Sequence, residues 1–551
     1  MKSNKEKSKI YWSVTIPLII LYTAVSVGTF VYVLLSMIPS ASENVFNFVI
    51  STICLGVFCI STFFVLFMST REFFINILYI CKRKKIIAQH KKILETNLSE
   101  KPKVVLLYCT CNDFCLDAIS VSMKQNYSNY ELIILDDSSK IEYKQMVDDF
   151  ALKNNIRVIR RDNRVGFKAG NLNNYLKNHQ DEYDYFVVLD SDEKIPENFI
   201  EDSLKYFFYN EKLGALQCVH TAQKPRNLFQ FFGEVFVKTD SFIALPSKLE
   251  FGFSALIGHG MMISKRAIAD VGFFPECIVE DYALSLKLFE RGYQIDYSPL
   301  IVCEEEFPPN YIIAKKRRLR WHEGDVEVQR NMKDCYKSKN LPAFLRFDFQ
   351  IAQIGNYKIP FIIFLFTISN LVLAILGTNI FSVMPYLGIL FAFNTIFPFV
   401  KDLPLFLFTK ECWKLPIYWI SFTLVFASYL PYMMLRVTRA WFGKKPVFNV
   451  TQKGKQRVFW VALLREMIIP VIFIGLIALL TYFAFSTITP SITFVATGIA
   501  LPFIILCANI ELKQKSKKVK MCSDNIIVFE PKKDTSAEKI SENLKISDGN
   551  L

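Results

Sequence analysis

Five stretches of the chain carry no Asp, Glu, Lys or Arg: residues 10–42, 44–70, 359–400, 415–435 and 467–510. A helix needs roughly 20 apolar residues to cross a bilayer, so each stretch can hold a spanning helix, and the third and fifth can hold two. The pattern predicts an opening hairpin of helices over 12–37 and 46–69, a second hairpin folding back at Gly377, Thr378 and Asn379, and a third folding back at 487–490. The stretch 415–435 contains Pro416 and Pro431 and follows Trp413 and Lys414. A crossing there would put the basic segment 436–457 outside, so this helix is expected to lie in the cytoplasmic interface, leaving six spans.

Between 72 and 358 the pattern changes to short apolar runs, at 104–107, 132–135, 157–159 and 185–189, each followed by an amphipathic stretch. Strands alternating with helices predict a parallel sheet of the nucleotide-binding α/β kind, with ligands at the carboxyl ends of the strands. The expected division is two transmembrane helices in 1–71, a cytoplasmic domain in 72–340, a membrane region with interfacial helices in 341–512, and a charged, flexible tail in 513–551.

Composition agrees: of 551 residues, 52% are hydrophobic and only 21% charged, which excludes a disordered or wholly soluble protein. A net charge of +14 suggests nucleic acid until its placement is considered. The basic residues flank the apolar runs, at Lys2, Lys5, Lys7 and Lys9, at Lys82, Arg83, Lys84 and Lys85, and along 315–320 and 513–520. That positive-inside pattern makes a lipid bilayer the partner rather than nucleic acid, and places both termini and the inserted domain in the cytoplasm. The first run is too long and too directly followed by another to be a cleaved leader, and is expected to be a permanent anchor. The 13 cysteines are expected to stay reduced; Cys109, Cys111 and Cys115 lack zinc-site spacing and read as structural.

Four sites carry chemistry. Asp136 and Asp137 follow the strand 132–135, where a carboxylate can accept from a base or sugar and where Asp is equally an ordinary turn former. Asp190 and Asp192 follow the strand 185–189; two carboxylates at i and i+2 on a turn can bind one divalent cation, which in turn can bridge a diphosphate. Glu280 and Asp281 open a helix running on to Arg291 and Gly292, as caps or as acceptors of a proton from a hydroxyl nucleophile. Lys315, Lys316, Arg317, Arg318, Leu319, Arg320 and Trp321 fit membrane anchoring, but Arg320 can also clamp a phosphate and Trp321 can stack on a sugar.

In this order and spacing the four sites resemble the processive family-two glycosyltransferases: cellulose, chitin and hyaluronan synthases. Lys168, Ala169, Gly170, Asn171, Leu172 and Asn173 look like that family's Lys-Ala-Gly-Asn-x-Asn segment. The resemblance implies an α-helical membrane protein with an inserted cytoplasmic α/β (GT-A-like) domain. It implies Thr110, Asp113, Asp137, Lys168, Asp190, Arg318 and Arg320 at a nucleotide sugar, Mg2+ or Mn2+ on Asp190 and Asp192, Asp281 as general base, and Trp321 at the acceptor.

A narrower resemblance lies in 446–457, where Phe448, Asn449, Val450, Thr451, Gln452, Lys453 and Gly454 look like the Phe-x-Val-Thr-x-Lys-Gly gating loop of bacterial cellulose synthases and related β-glucan synthases. It implies UDP-glucose as donor and a growing glucan as acceptor and product, moved across the plasma membrane by a multi-pass channel. An amino-sugar polymer synthase and a non-processive lipid-linked transferase stay open as alternatives. Three segments depart from the family: Arg317 replaces a glutamine, Thr110-Cys111-Asn112-Asp113 replaces Thr-Tyr-Asn-Glu, and Ile257-Gly258-His259 replaces the Cys-Gly-Ser beneath the acceptor sugar. The last change implies a differently shaped acceptor floor and a product with both β-1,3 and β-1,4 bonds.

Overall fold

The first two apolar runs form two long helices, α1 (Asn4–Ala41) and α2 (Val45–Leu94), in a computed structural model that describes residues 4–41, 44–409, 412–444, 457–483, 500–512, 517–521 and 527–531. Asn44 caps α2, its side chain accepting from Asn47 N at 3.0 Å. No residue between Thr70 and Leu94 breaks the helix, so the basic stretch after Lys82 forms the far end of α2, which runs about 75 Å from first residue to last. Ile75, Tyr79 and Ile86 pack on one face of the inserted domain's sheet, and Ile93 joins the cluster on the other. One continuous helix thus joins the apolar hairpin to the sheet-bearing domain.

That domain holds seven strands: β1 (Val104–Thr110), β2 (Tyr130–Asp136), β3 (Arg157–Ile159), β4 (Tyr185–Leu189), β5 (Leu213–Ala222), β6 (Met261–Ser264) and β7 (Gln294–Glu305). The order is β3-β2-β1-β4-β6-β5-β7. Both faces are covered: Val105, Leu107, Ile133 and Val188 pack into one cluster, Val104, Leu106, Tyr108, Ile134 and Val187 into the other. Two-sided burial accounts for strands that read as continuous apolar runs rather than alternating ones.

The sheet is mixed, not all-parallel as expected. β3, β2, β1 and β4 are parallel, whereas β6 runs antiparallel between β4 and β5. After β5 the chain leaves the sheet through the helices Leu228–Thr239 and Leu245–Phe251, and this excursion returns it in the opposite sense.

In the apolar region after the inserted domain, one limb is shorter than the sequence pattern suggests. The third apolar run contains one long helix, Ile359–Ile375, but its return limb, Pro385–Ile396, is only about 18 Å long, too short to cross alone. The run 415–435, expected to lie in the interface, belongs to a helical segment, Cys412–Trp441, long and apolar enough to cross. The other helices of that kind among the described residues are Asn4–Pro39, Val45–Leu94 and Ala343–Ile375. Of the third hairpin, the helix Trp460–Phe483 is present and its expected turn at 487–490 lies outside the described residues. In the tail, Lys517–Met521 and Ile527–Pro531 pair as antiparallel strands.

Candidate active site

β1 and β2 end together, Thr110 opposite Asp136, and β4 ends beside them with Leu189 opposite Tyr108, so the loops after the three strands meet along one edge. Asp113 ties two of these loops together, accepting from Thr110 Oγ1 at 3.0 Å, Cys111 N at 2.7 Å and Ser191 Oγ at 2.6 Å. Asp137 is gripped by Arg161 through both carboxylate oxygens, at 2.9 and 2.7 Å.

Asp190 and Asp192 sit on the turn after β4, in different settings. The Asp190 side chain is 39% exposed and ion-paired with Lys168. Asp192 is buried and its Oδ2 accepts from Glu306 N at 3.0 Å. The pair supplies hard oxygen donors on one turn, a set suited to a divalent cation. Lys168 stands on the first turn of the helix Phe167–Asn178 and also donates to Gly258 O at 2.8 Å, bridging the acidic turn and the loop before β6. Burial works against the Lys168 charge, but Asp190 more than compensates and the ammonium is held above its usual range.

The loop 255–260 is pinned on several sides. Gln217 of β5 accepts from Ile257 N at 2.9 Å and donates to His259 O at 2.8 Å, while Ser285 accepts from Leu256 N at 2.9 Å. Gly258 adopts φ +89°, and a Cβ there would lie 2.8 Å from Asp281 Oδ2. Asp281, on the first turn of the helix Glu280–Glu290, has its pKa raised by burial. Neighbouring Glu280 is pushed up to about 8, by burial first and by the Asp281 charge second.

His259 lies behind Gly258. Its Nδ1 is 3.2 Å from Glu193 Oε2 and its Nε2 is 3.6 Å from Glu305 Oε2. Burial opposes its charge, yet Glu193 raises it to about 10, which favours the imidazolium. Glu193 is correspondingly lowered to about 2: its own burial favours the neutral acid but the two histidines around it prevail.

On the helix Tyr311–Asn331 the residues of the basic cluster part company. Arg320 lies within electrostatic reach of Glu280, Asp190 and Asp281. Arg318 instead lies over Phe426, at 5.3 Å, with Asp240 and Asp325 as its acidic neighbours. Arg317, Arg318 and Trp321 line an aromatic cleft with Phe229, Phe307 and Phe426. The structure thus brings Lys168, Asp190, Gly258, His259, Asp281 and Arg320 together and leaves Arg318 to the cleft. Phe448, Val450, Thr451, Lys453 and Gly454 lie outside the described residues. Glu193, His220, Gln217 and Arg161 escaped the sequence reading, since no spacing marks them; Glu193 alone had a pointer, its place directly after Asp192.

A mixed α/β sheet with an acidic turn at the carboxyl end of its central strand is the architecture of GT-A-like glycosyltransferases. Residues 185–507, more than half of the chain, match the family described as Glycosyl transferase family group 2, and the chain belongs to it. It is a sugar-nucleotide-dependent transferase with several apolar helices that associate it with a membrane. It is similar to the poly-beta-1,6-N-acetyl-D-glucosamine synthase of Staphylococcus aureus strain MSSA476, 28% identical over 303 residues that cover 53% of this chain and 71% of that one. The synthase of the same name from Staphylococcus epidermidis is 28% identical over 244 residues, 43% of this chain and 58% of that one. Among solved structures, a mannosyltransferase from Pyrobaculum calidifontis in complex with GDP-Man and Mn2+ aligns with 70% of this chain and 100% of its own at 15% identity and a TM-score of 0.47. The homology is to polysaccharide synthases.

Proposed function

We propose that the protein is a processive, inverting synthase that polymerises glucose from UDP-glucose into a β-glucan and passes it across the plasma membrane. The observation that carries the reading is the meeting of Lys168, Asp190, Gly258 and Asp281: a cation for the leaving diphosphate on one side of a small gap and a carboxylate base on the other. Asp190 and Asp192 would hold Mg2+ or Mn2+, which supplies charge neutralisation for the departing UDP. Lys168 and Arg320 add positive charge from the protein, with Thr110, Asp113 and Asp137 shaping the nucleotide side. Asp281 takes the proton of the acceptor hydroxyl as that oxygen attacks C1 from the face opposite UDP. A base raised by burial is matched to that task.

The acceptor's terminal sugar would rest on Ile257, Gly258 and His259 and stack on Trp321, and the cleft lined by Phe229, Phe307 and Phe426 continues that stacking surface away from the base. Arg318 would serve this polymer path. The domain and both termini would face the cytoplasm, in keeping with the basic flanks. Glucose is favoured by the segment Phe448–Gly454 in the sequence, and a mixture of β-1,3 and β-1,4 bonds by the Ile257 and His259 replacements. A second reading, an N-acetylglucosamine polymer, draws on the names of the staphylococcal relatives. The deciding experiment incubates the purified full chain with UDP-glucose and with UDP-N-acetylglucosamine and digests the product with linkage-specific glucanases. Glucanase-sensitive polymer from UDP-glucose supports the first reading; polymer from UDP-N-acetylglucosamine alone replaces it with the second.

A further inference from the structure

Behind the Asp190–Asp192 turn lies a buried carboxylate that the proposed chemistry leaves unused. Glu193 is 0% exposed, and its carboxylate meets three elements at once. His220 Nε2 of β5 is 2.8 Å from Oε1, His259 Nδ1 is 3.2 Å from Oε2, and Asp190 N donates to Oε2 at 3.3 Å. The His220 and His259 rings pack edge-on, 4.5 Å apart. Gly260 makes room for the group, because a Cβ there would overlap Glu193 Oε1 and stand 2.5 Å from His220 Nε2.

Glu193, His220 and Cys303 also bring one ligand atom each within 4.8 Å of one another, which raises the question of a metal. Two ligands on one tetrahedral zinc, each about 2.0–2.1 Å from it, sit about 3.3 Å apart. The 2.8 Å between Glu193 and His220 is instead the length of a charge-assisted hydrogen bond. The cluster is therefore a clamp, and what it clamps is the loop beneath Asp281.

Resting on the polymer-synthase reading above, we propose that Glu193 is a positioning residue: held from behind by His220, it fixes His259 and thereby the floor on which the acceptor's terminal sugar meets Asp281. Glu193 touches the donor-side turn through Asp190 N and the acceptor-side loop through His259, so it sets the spacing between the two reacting halves. Loosening it displaces the acceptor hydroxyl, while the ion pair between Lys168 and Asp190 still holds the donor side. A displacement of about 1 Å can slow transfer roughly 10²-fold. Water then competes for the donor: the bond from C1 to UDP breaks, a bond from C1 to the water oxygen forms, and the water proton leaves to solvent, giving free sugar and UDP.

The test reconstitutes the full chain in lipid nanodiscs with Mg2+ and the UDP-sugar that the wild type polymerises, and measures free sugar against sugar in polymer. Glu193→Gln is expected to raise that ratio about tenfold with the donor KM within about twofold. The Glu193→Gln, His259→Ala double variant is expected to match His259→Ala alone, as two residues acting through one contact should. Where Glu193→Gln does not accumulate as folded protein, His259→Asn reads the same contact from its less buried side and is expected to raise the ratio alike. An unchanged ratio, an additive double variant, or stoichiometric zinc in the wild type that Glu193→Gln loses would each overturn the proposal. A wild type that polymerises no UDP-sugar overturns the synthase reading itself, and this proposal with it.

Discussion

Gly258 and Asp281 occupy adjoining space: the glycine backbone, at φ +89°, lies where any side chain would come within 2.8 Å of the Asp281 Oδ2. A glycine is required here twice over, for the left-handed backbone and for the approach to the carboxylate. Gly258→Ala is therefore expected to cut polymer formation by about 10²-fold, the scale of a small misplacement of the reacting groups, with UDP affinity retained. Polymer assays beside UDP titration on the same preparation check it.

Asp281→Asn keeps the shape of the site and removes the proposed base. The expected loss of turnover is about 10²–10⁴-fold, with UDP affinity nearly intact because Lys168 and Arg320 stand elsewhere. An equal loss of UDP affinity would move Asp281 to the nucleotide side.

Asp192→Ala removes one of two carboxylates on a single turn, together with the acceptor for Glu306 N. Activity is expected to vanish in this variant and, in the wild type, on adding excess chelator, then to return with Mg2+ or Mn2+ in the wild type alone. Full wild-type turnover in chelator would exclude the metal.

Asp348 makes a different kind of contribution. It pairs with Arg71 of α2, accepts from Tyr11 OH of α1 at 3.3 Å, and accepts from Phe253 N at the start of the loop that carries Gly258. Asp348→Ala leaves a buried arginine unpaired, at an expected cost of about 3–5 kcal/mol. Thermal unfolding in detergent should show the loss, whereas Asp348→Glu should recover part of it.

Much of this molecule is legible in one dimension, for reasons that differ from element to element. The strand 185–189 and the helix opening at Glu280 appear where the pattern puts them, since burial on two faces of a sheet imposes an unbroken apolar run and an acidic helix start imposes its own local chemistry. Asp190, Asp192 and Asp281 are legible because each stands directly after, or directly at the start of, such an element. The sequence by itself determined the layout of apolar and polar segments and which strand ends carry acid, because both follow from neighbours within a few residues. Only the tertiary structure decided that β6 runs antiparallel, that α2 continues unbroken from the apolar hairpin to the sheet, that Arg320 and not Arg318 reaches the acidic cluster, and that Glu193, His220 and His259 form one group. Glu193, His220 and His259 come from three separate segments, and their pairing depends on how β4, β5 and the loop before β6 are laid side by side, which no local pattern encodes.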